Sequence, residues 1–136
     1  MKSKMMEPKE EKAKKKNDLE ERLINFAVSV LEVSEMLPDS RACNHLNGQL
    51  IRSGTSPALN YGEAFYAESR NDFIHKLKIC LKELNETKIC LAIIKRRGYA
   101  NKDLIRLEKV INENVELVNI FTKSAKTASE NRNNRS

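Results

Sequence analysis

Between residues 19 and 37, apolar side chains recur as Leu19, Leu23, Phe26, Val30, Val33 and Leu37, in alternating steps of four and three. That spacing puts all six on one stripe of an α-helix. It predicts a helix over about 17–37, which Pro38 ends because the residue before a proline is pushed out of the helical region. Phe73, Leu77, Cys80, Leu84, Thr87, Leu91 and Ile94 repeat the pattern and predict a helix over about 69–97. Ser69 is placed to cap its start, and Gly98 to stop it in the left-handed conformation that glycine adopts without steric cost. Leu104, Leu107, Ile111, Asn114, Val118, Phe121, Ala125 and Ala128 give a further stripe and a helix over about 101–128, with Asn101 available as its cap. The segment 40–67 has a weaker stripe of Leu46, Leu50, Ile51, Ala58, Leu59 and Phe65.

Links this short force consecutive helices to lie antiparallel as neighbours. The expected fold is all-α, an antiparallel up-down-up-down four-helix bundle spanning 17–128. Residues 1–16 are expected to be a charged, disordered or frayed tail, and 129–136 a polar one. Composition agrees: four Gly and three Pro in 136 residues are too few for the turns of a β-sandwich, a barrel or an α/β fold.

Net charge is +6, unevenly spread. Residues 68–109 hold eleven Lys and Arg against six acids, whereas 19–67 hold three against six. Lys95, Arg96 and Arg97 crowd the end of the third helix, followed by Lys102, Arg106 and Lys109. Basic residues at a helix C-terminus complement its dipole, which is one account of the cluster. The other is a phosphate-binding end of the bundle. With no helix-turn-helix signature, zinc knuckle or aromatic ladder, contact with RNA or DNA would go to the backbone.

The cysteines, Cys43, Cys80 and Cys90, are odd in number, lack paired spacing and sit among apolar neighbours, so they read as buried thiols. The start, MKSKMMEPKEEKAKKK, has no apolar run of a signal peptide, and no segment approaches a membrane span; the expectation is a cytoplasmic protein with no membrane partner. Neither His45 nor His75 follows a Glu by three, as di-iron bundles require. No Ser/His/Asp grouping or phosphate loop is legible. The expectation is a protein that is not an enzyme, with no catalytic residues, no metal and no cofactor.

Outside the main stripes lie Ile74, Ile79, Leu81, Ile89 and Ile93 on the third helix and Ile105, Val110, Val115 and Leu117 on the fourth. They either widen the buried face or mark an interface of a homo-oligomer. Within RSGTSPALNYGEA (52–64), Ser53, Gly54, Ser56 and Ala58 allow close approach of a neighbouring helix, and Pro57 is expected to kink the backbone. Arg52, Asn60 and Glu63 share roughly one side of that helix, with Glu86 the expected partner of Arg52. The four read as a structural polar network that fixes register.

This stretch together with SRNDFIHKLKICLKELNETKICLAIIKRRGY (69–99) resembles the bacterial four helix bundle protein family, also called the 23S rRNA-intervening-sequence protein family. The residues that carry the resemblance are Arg52, Ser56, Asn60, Glu63, Phe73, Leu77, Glu86, Gly98 and Tyr99. The chain departs from the pattern at Ala64 and at Lys82-Glu83. The resemblance implies a bundle that assembles as a ring-like homopentamer, without established enzymatic activity. It also implies kinship with the accessory proteins of diversity-generating retroelements, which bind nucleic acid and a reverse transcriptase. The sequence thus leads to two expectations. One is a homo-oligomeric bundle that binds RNA or DNA as an accessory to a nucleic-acid-processing protein. The other is a scaffold or protein-interaction module with no nucleic-acid role.

Overall fold

A computed structural model describes residues 7–134. Four long helices run α1 Pro8–Glu35, α2 Arg41–Ala64, α3 Arg70–Arg97 and α4 Leu104–Asn134, with a 3-10 turn at Asn101–Asp103. No strand occurs among the described residues. Each helix packs on the next and α4 returns to α1, which closes a ring; the α1–α4 seam is the thinnest. The protein is an all-α four-helix bundle.

Local chemistry sets the ends. Ser40 and Ser69 cap α2 and α3, their hydroxyls accepting from the Cys43 and Asp72 amides at 3.2 and 3.1 Å. Gly98 closes α3 at φ 69°, and its amide bonds back to the Ile94 and Lys95 carbonyls. At α4 the cap is Asp103 and not Asn101. Asp103 Oδ1 accepts the Arg106 amide at 3.1 Å, while Asn101 opens the short turn before it.

Helix α1 begins nine residues before the expected 17. Pro8 sits at a helix start, where its missing N–H costs nothing, and Glu10 and Glu11 face the positive end of the dipole. Residues 9–15 are exposed, yet Lys16 places its ammonium 4.5 Å from the centre of the Phe65 ring. Thus the helical part of the expected tail is tied to the bundle at its inner end; residues 1–6 lie outside the described residues. Likewise α4 passes the expected stop at 128 and continues to Asn134, with 135–136 outside the described residues.

The heptad stripes fill the core: Leu23, Phe26, Val30 and Val33 from α1, Leu77, Cys80, Leu84, Thr87, Leu91 and Ile94 from α3, and Leu107, Asn114 and Phe121 from α4. Leu104 is an exception and stands exposed. Each large apolar side chain so buried contributes about 1.5–3 kcal/mol. On α2 the expected stripe is displaced. Ile51, Leu59 and Phe65 face outward, and the buried face is Cys43, Leu50, Ser53, Gly54, Pro57, Tyr61 and Ala64. It keeps the heptad rhythm but uses small residues, so α2 lies close against α1: a Cβ on Gly54 would meet Val30 Cγ1 at 2.6 Å. The helix runs unbroken through Pro57, whose carbonyl accepts the Cys80 thiol at 3.5 Å.

At one end of the bundle, Tyr61 stacks edge-on against both Phe65 and Phe121, with centroids 5.0 and 5.7 Å apart. The opposite end gathers the C-termini of α1 and α3 and the N-termini of α2 and α4, and it is there that the basic cluster falls.

Candidate nucleic-acid interface

Two regions hold the polar residues singled out by the sequence. Along the α2–α3 seam, Arg52 donates from Nη1 to Glu83 Oε2 at 2.8 Å and from Nη2 to Gln49 Oε1 at 3.0 Å, and it also pairs with Glu86. The Arg52 guanidinium bonded to it holds the Glu86 carboxyl below the usual carboxylate range. Next to this pair in sequence, on the inner side of both helices, the buried Thr87 hydroxyl donates to the buried Ser53 hydroxyl at 2.9 Å. Asn60 and Glu63 do not join this set. Asn60 folds back onto its own helix, donating to the Ser56 hydroxyl at 2.8 Å, and Glu63 pairs with Lys76 at 2.6 Å. Arg52 and Glu86 therefore meet, together with Glu83, Ser53 and Thr87, which sequence pattern alone did not single out as partners. A legible sign was there: Glu83 and Glu86 stand one helical turn apart, opposite a lone arginine.

At the other region, the end of the bundle, the six basic residues divide by partner. Lys95 reaches across to Glu108 on α4 at 2.6 Å. Arg106 pairs with Glu32 on α1 and with Asp103 at 3.4 Å. The Arg106 amide, then its guanidinium, hold the Asp103 carboxyl below its usual range. Arg97 lies over the Tyr99 ring at 5.0 Å. Arg96, Arg97, Lys102 and Lys109 are exposed, and among the described residues none of them has an ion pair. Exposed pairs such as Lys95–Glu108 contribute little to stability and exchange readily for another anion. The end thus offers four uncommitted cations and two loosely committed ones. Glu32 and Glu35 interrupt the cluster beside Lys102 and Arg106, where the α1 and α4 ends meet.

Adjoining Lys95 and Arg96, a groove of about 480 Å³ runs between α3 and α4, lined by Lys88, Leu91, Ala92, Lys95, Arg96, Ile111, Asn114 and Val115. Asn114 is 1% exposed; its Nδ2 donates to the Leu84 carbonyl at 3.0 Å, and its Oδ1 has no partner. Among the described residues no group of three or more His, Cys, Asp or Glu is placed to hold a metal ion. No helix among them is long and apolar enough to cross a membrane.

Comparison with known proteins adds two findings. The family model for the 23S rRNA-intervening sequence protein matches residues 15–123. A crystal structure of a protein of unknown function from the S23 ribosomal protein family of Bacteroides thetaiotaomicron is similar at 33% identity and a TM-score of 0.72. That match covers 82% of this chain and 98% of the other. No curated protein matches.

Proposed function

This chain belongs to the 23S rRNA-intervening sequence protein family, and from that premise we propose that it is a non-enzymatic, homo-oligomeric bundle that binds RNA or DNA through phosphate contacts, as an accessory to a nucleic-acid-processing protein. The observation that carries this reading is the set Arg96, Arg97, Lys102 and Lys109, exposed at one end of the bundle and in no ion pair among the described residues. Uncommitted cations gathered on one end attract a polyanion, and release of its counterions drives binding without regard to sequence. Lys95 and Arg106 join by exchanging surface carboxylates for phosphates.

Self-association is supported by apolar side chains that the bundle leaves in water. Ile24, Val28 and Leu31 make an exposed stripe on α1, and Ile89 and Ile93 do so on α3. Scattered apolar residues are ordinary on a monomer, but stripes at helical spacing on two helices are what a ring of subunits covers. Ile74, Val110 and Leu117, by contrast, are buried within the chain and widen its own core.

Light scattering of the purified protein, alone and with a mixed pool of short RNA and DNA, tests both parts. The expected masses are a five-fold multiple of the chain, then that assembly plus bound nucleic acid at low salt. A monomer that scatters identically in both conditions overturns the proposal and leaves the scaffold reading without its self-assembly.

A further inference from the structure

The groove between α3 and α4 combines three features that together describe a ligand. Its walls are aliphatic, from Leu91, Ile111 and Val115; its rim is cationic, from Lys88, Lys95 and Arg96; and its inner side includes Asn114. Lys88 and Arg96 are exposed and carry no ion pair among the described residues, while Lys95 is held by Glu108. A cavity of about 480 Å³ is of ordinary size for a small organic group. The Asn114 amide cannot turn freely, because Nδ2 is fixed on the Leu84 carbonyl. That leaves Oδ1, buried and unpaired, as an acceptor in search of a donor.

We propose that this groove receives one unstacked nucleobase of a single-stranded nucleic acid. Asn114 Oδ1 accepts from the base's N–H edge, the aliphatic walls flank its faces, and Lys88 and Arg96 take the neighbouring phosphates. A fatty chain has the apolar body but no donor. A free phosphate has the charge but no body. A nucleotide has a flat body, an N–H edge and flanking anions, the combination that pockets for unstacked bases recognise. Oδ1 is itself buried, so the binding proposed here includes an opening of the groove between α3 and α4 that admits the base edge. The inference rests on the phosphate-binding reading above and adds a base-dependent component to it.

Fluorescence anisotropy with labelled oligothymidylate, whose N3–H is the donor, against an abasic strand of equal phosphate number separates the two. At a length of about twelve nucleotides, the base-bearing strand is expected to bind about tenfold more tightly. Asn114→Leu removes the acceptor, and Ala92→Phe fills the groove from its wall. Each is expected to bring the ratio to about one with abasic binding unchanged and the helical circular dichroism retained. Equal binding of the two strands by the native protein overturns the groove site and leaves phosphate binding standing. A ratio that survives in both variants also overturns it, because the base then sits elsewhere. Failure of both strands to bind overturns both readings.

Discussion

Gly54 is the position where a single methyl group has the least room. A Cβ there would stand 2.6 Å from Val30 Cγ1 and 2.9 Å from Cγ2, and Val30 is fully buried and has nowhere to move. Gly54→Ala gains helix propensity of about 1 kcal/mol, yet overpacking a closed core costs about 1–3 kcal/mol. The expected result is net destabilisation, measured by urea unfolding. Val30→Ala alone leaves a cavity, but in the Gly54→Ala background it relieves the clash, so the double-mutant cycle should show favourable coupling. An additive cycle would contradict the close approach of α1 and α2. Residue-level detail was only partly legible in the sequence. Arg52 and Glu86 could be matched because an arginine on the polar side of α2 calls for an acid and Glu86 is near the middle of α3. Glu83 was harder to see, since Lys82-Glu83 stood out only as a departure from the family pattern, yet Glu83 is buried against Arg52. Asn114 was legible as a polar residue in an apolar row. That its Oδ1 lacks a partner depends on where the Leu84 carbonyl lies, which only coordinates give.

At the scale of helices, the three stripes rich in Leu, Ile, Val and Phe were readable because large apolar side chains announce the buried face. Helix α2 hid its face for the opposite reason: Ser53, Gly54, Pro57 and Ala64 carry little hydrophobic signal, and it is their smallness that puts them inside. Caps at Ser69 and Gly98 were legible from residue type, whereas the choice of Asp103 over Asn101 turned on a short 3-10 turn that no spacing encodes. The early start of α1 was missed because charge density reads as disorder, although Pro8, Glu10 and Glu11 are good helix-start residues. The α2–α3 seam has a consequence for pH. Burial pushes the Cys80 thiol from its ordinary 9.0 up to about 12 and the Tyr61 hydroxyl from 10.0 up to about 12. Both stay neutral in the folded state when the unfolded chain has begun to ionise. Their contribution to stability is therefore full below pH 9, falls as pH rises past each ordinary value, and is gone near pH 12. Each group accounts for at most about 1.4 kcal/mol per pH unit within its window. Thermal melts between pH 8 and pH 11 should show a falling Tm, with a shallower fall for Cys80→Ala. Equal slopes for the two proteins would contradict the burial of this thiol between the helices.

For the whole molecule, the antiparallel ring of helices brings the C-termini of α1 and α3 together with the N-termini of α2 and α4, so one end carries the cations and the other the aromatic cluster. Charge that is dispersed along the chain becomes local once α3 turns at Gly98 and α4 starts back. Sequence showed the clustering of residues 95–109, but the division between committed and uncommitted cations depends on Glu32, Asp103 and Glu108 being brought alongside. The proposal of a phosphate-binding end is tested most directly by the salt dependence of single-stranded RNA and DNA affinity. Native protein should lose affinity steeply as salt rises, on both nucleic acids alike. Replacing Arg96, Arg97, Lys102 and Lys109 together by Ala should lower the slope of log affinity against log salt by about 3, at roughly 0.7 for each phosphate no longer neutralised. An affinity that is indifferent to salt, or an unchanged slope in the four-fold variant, would contradict it.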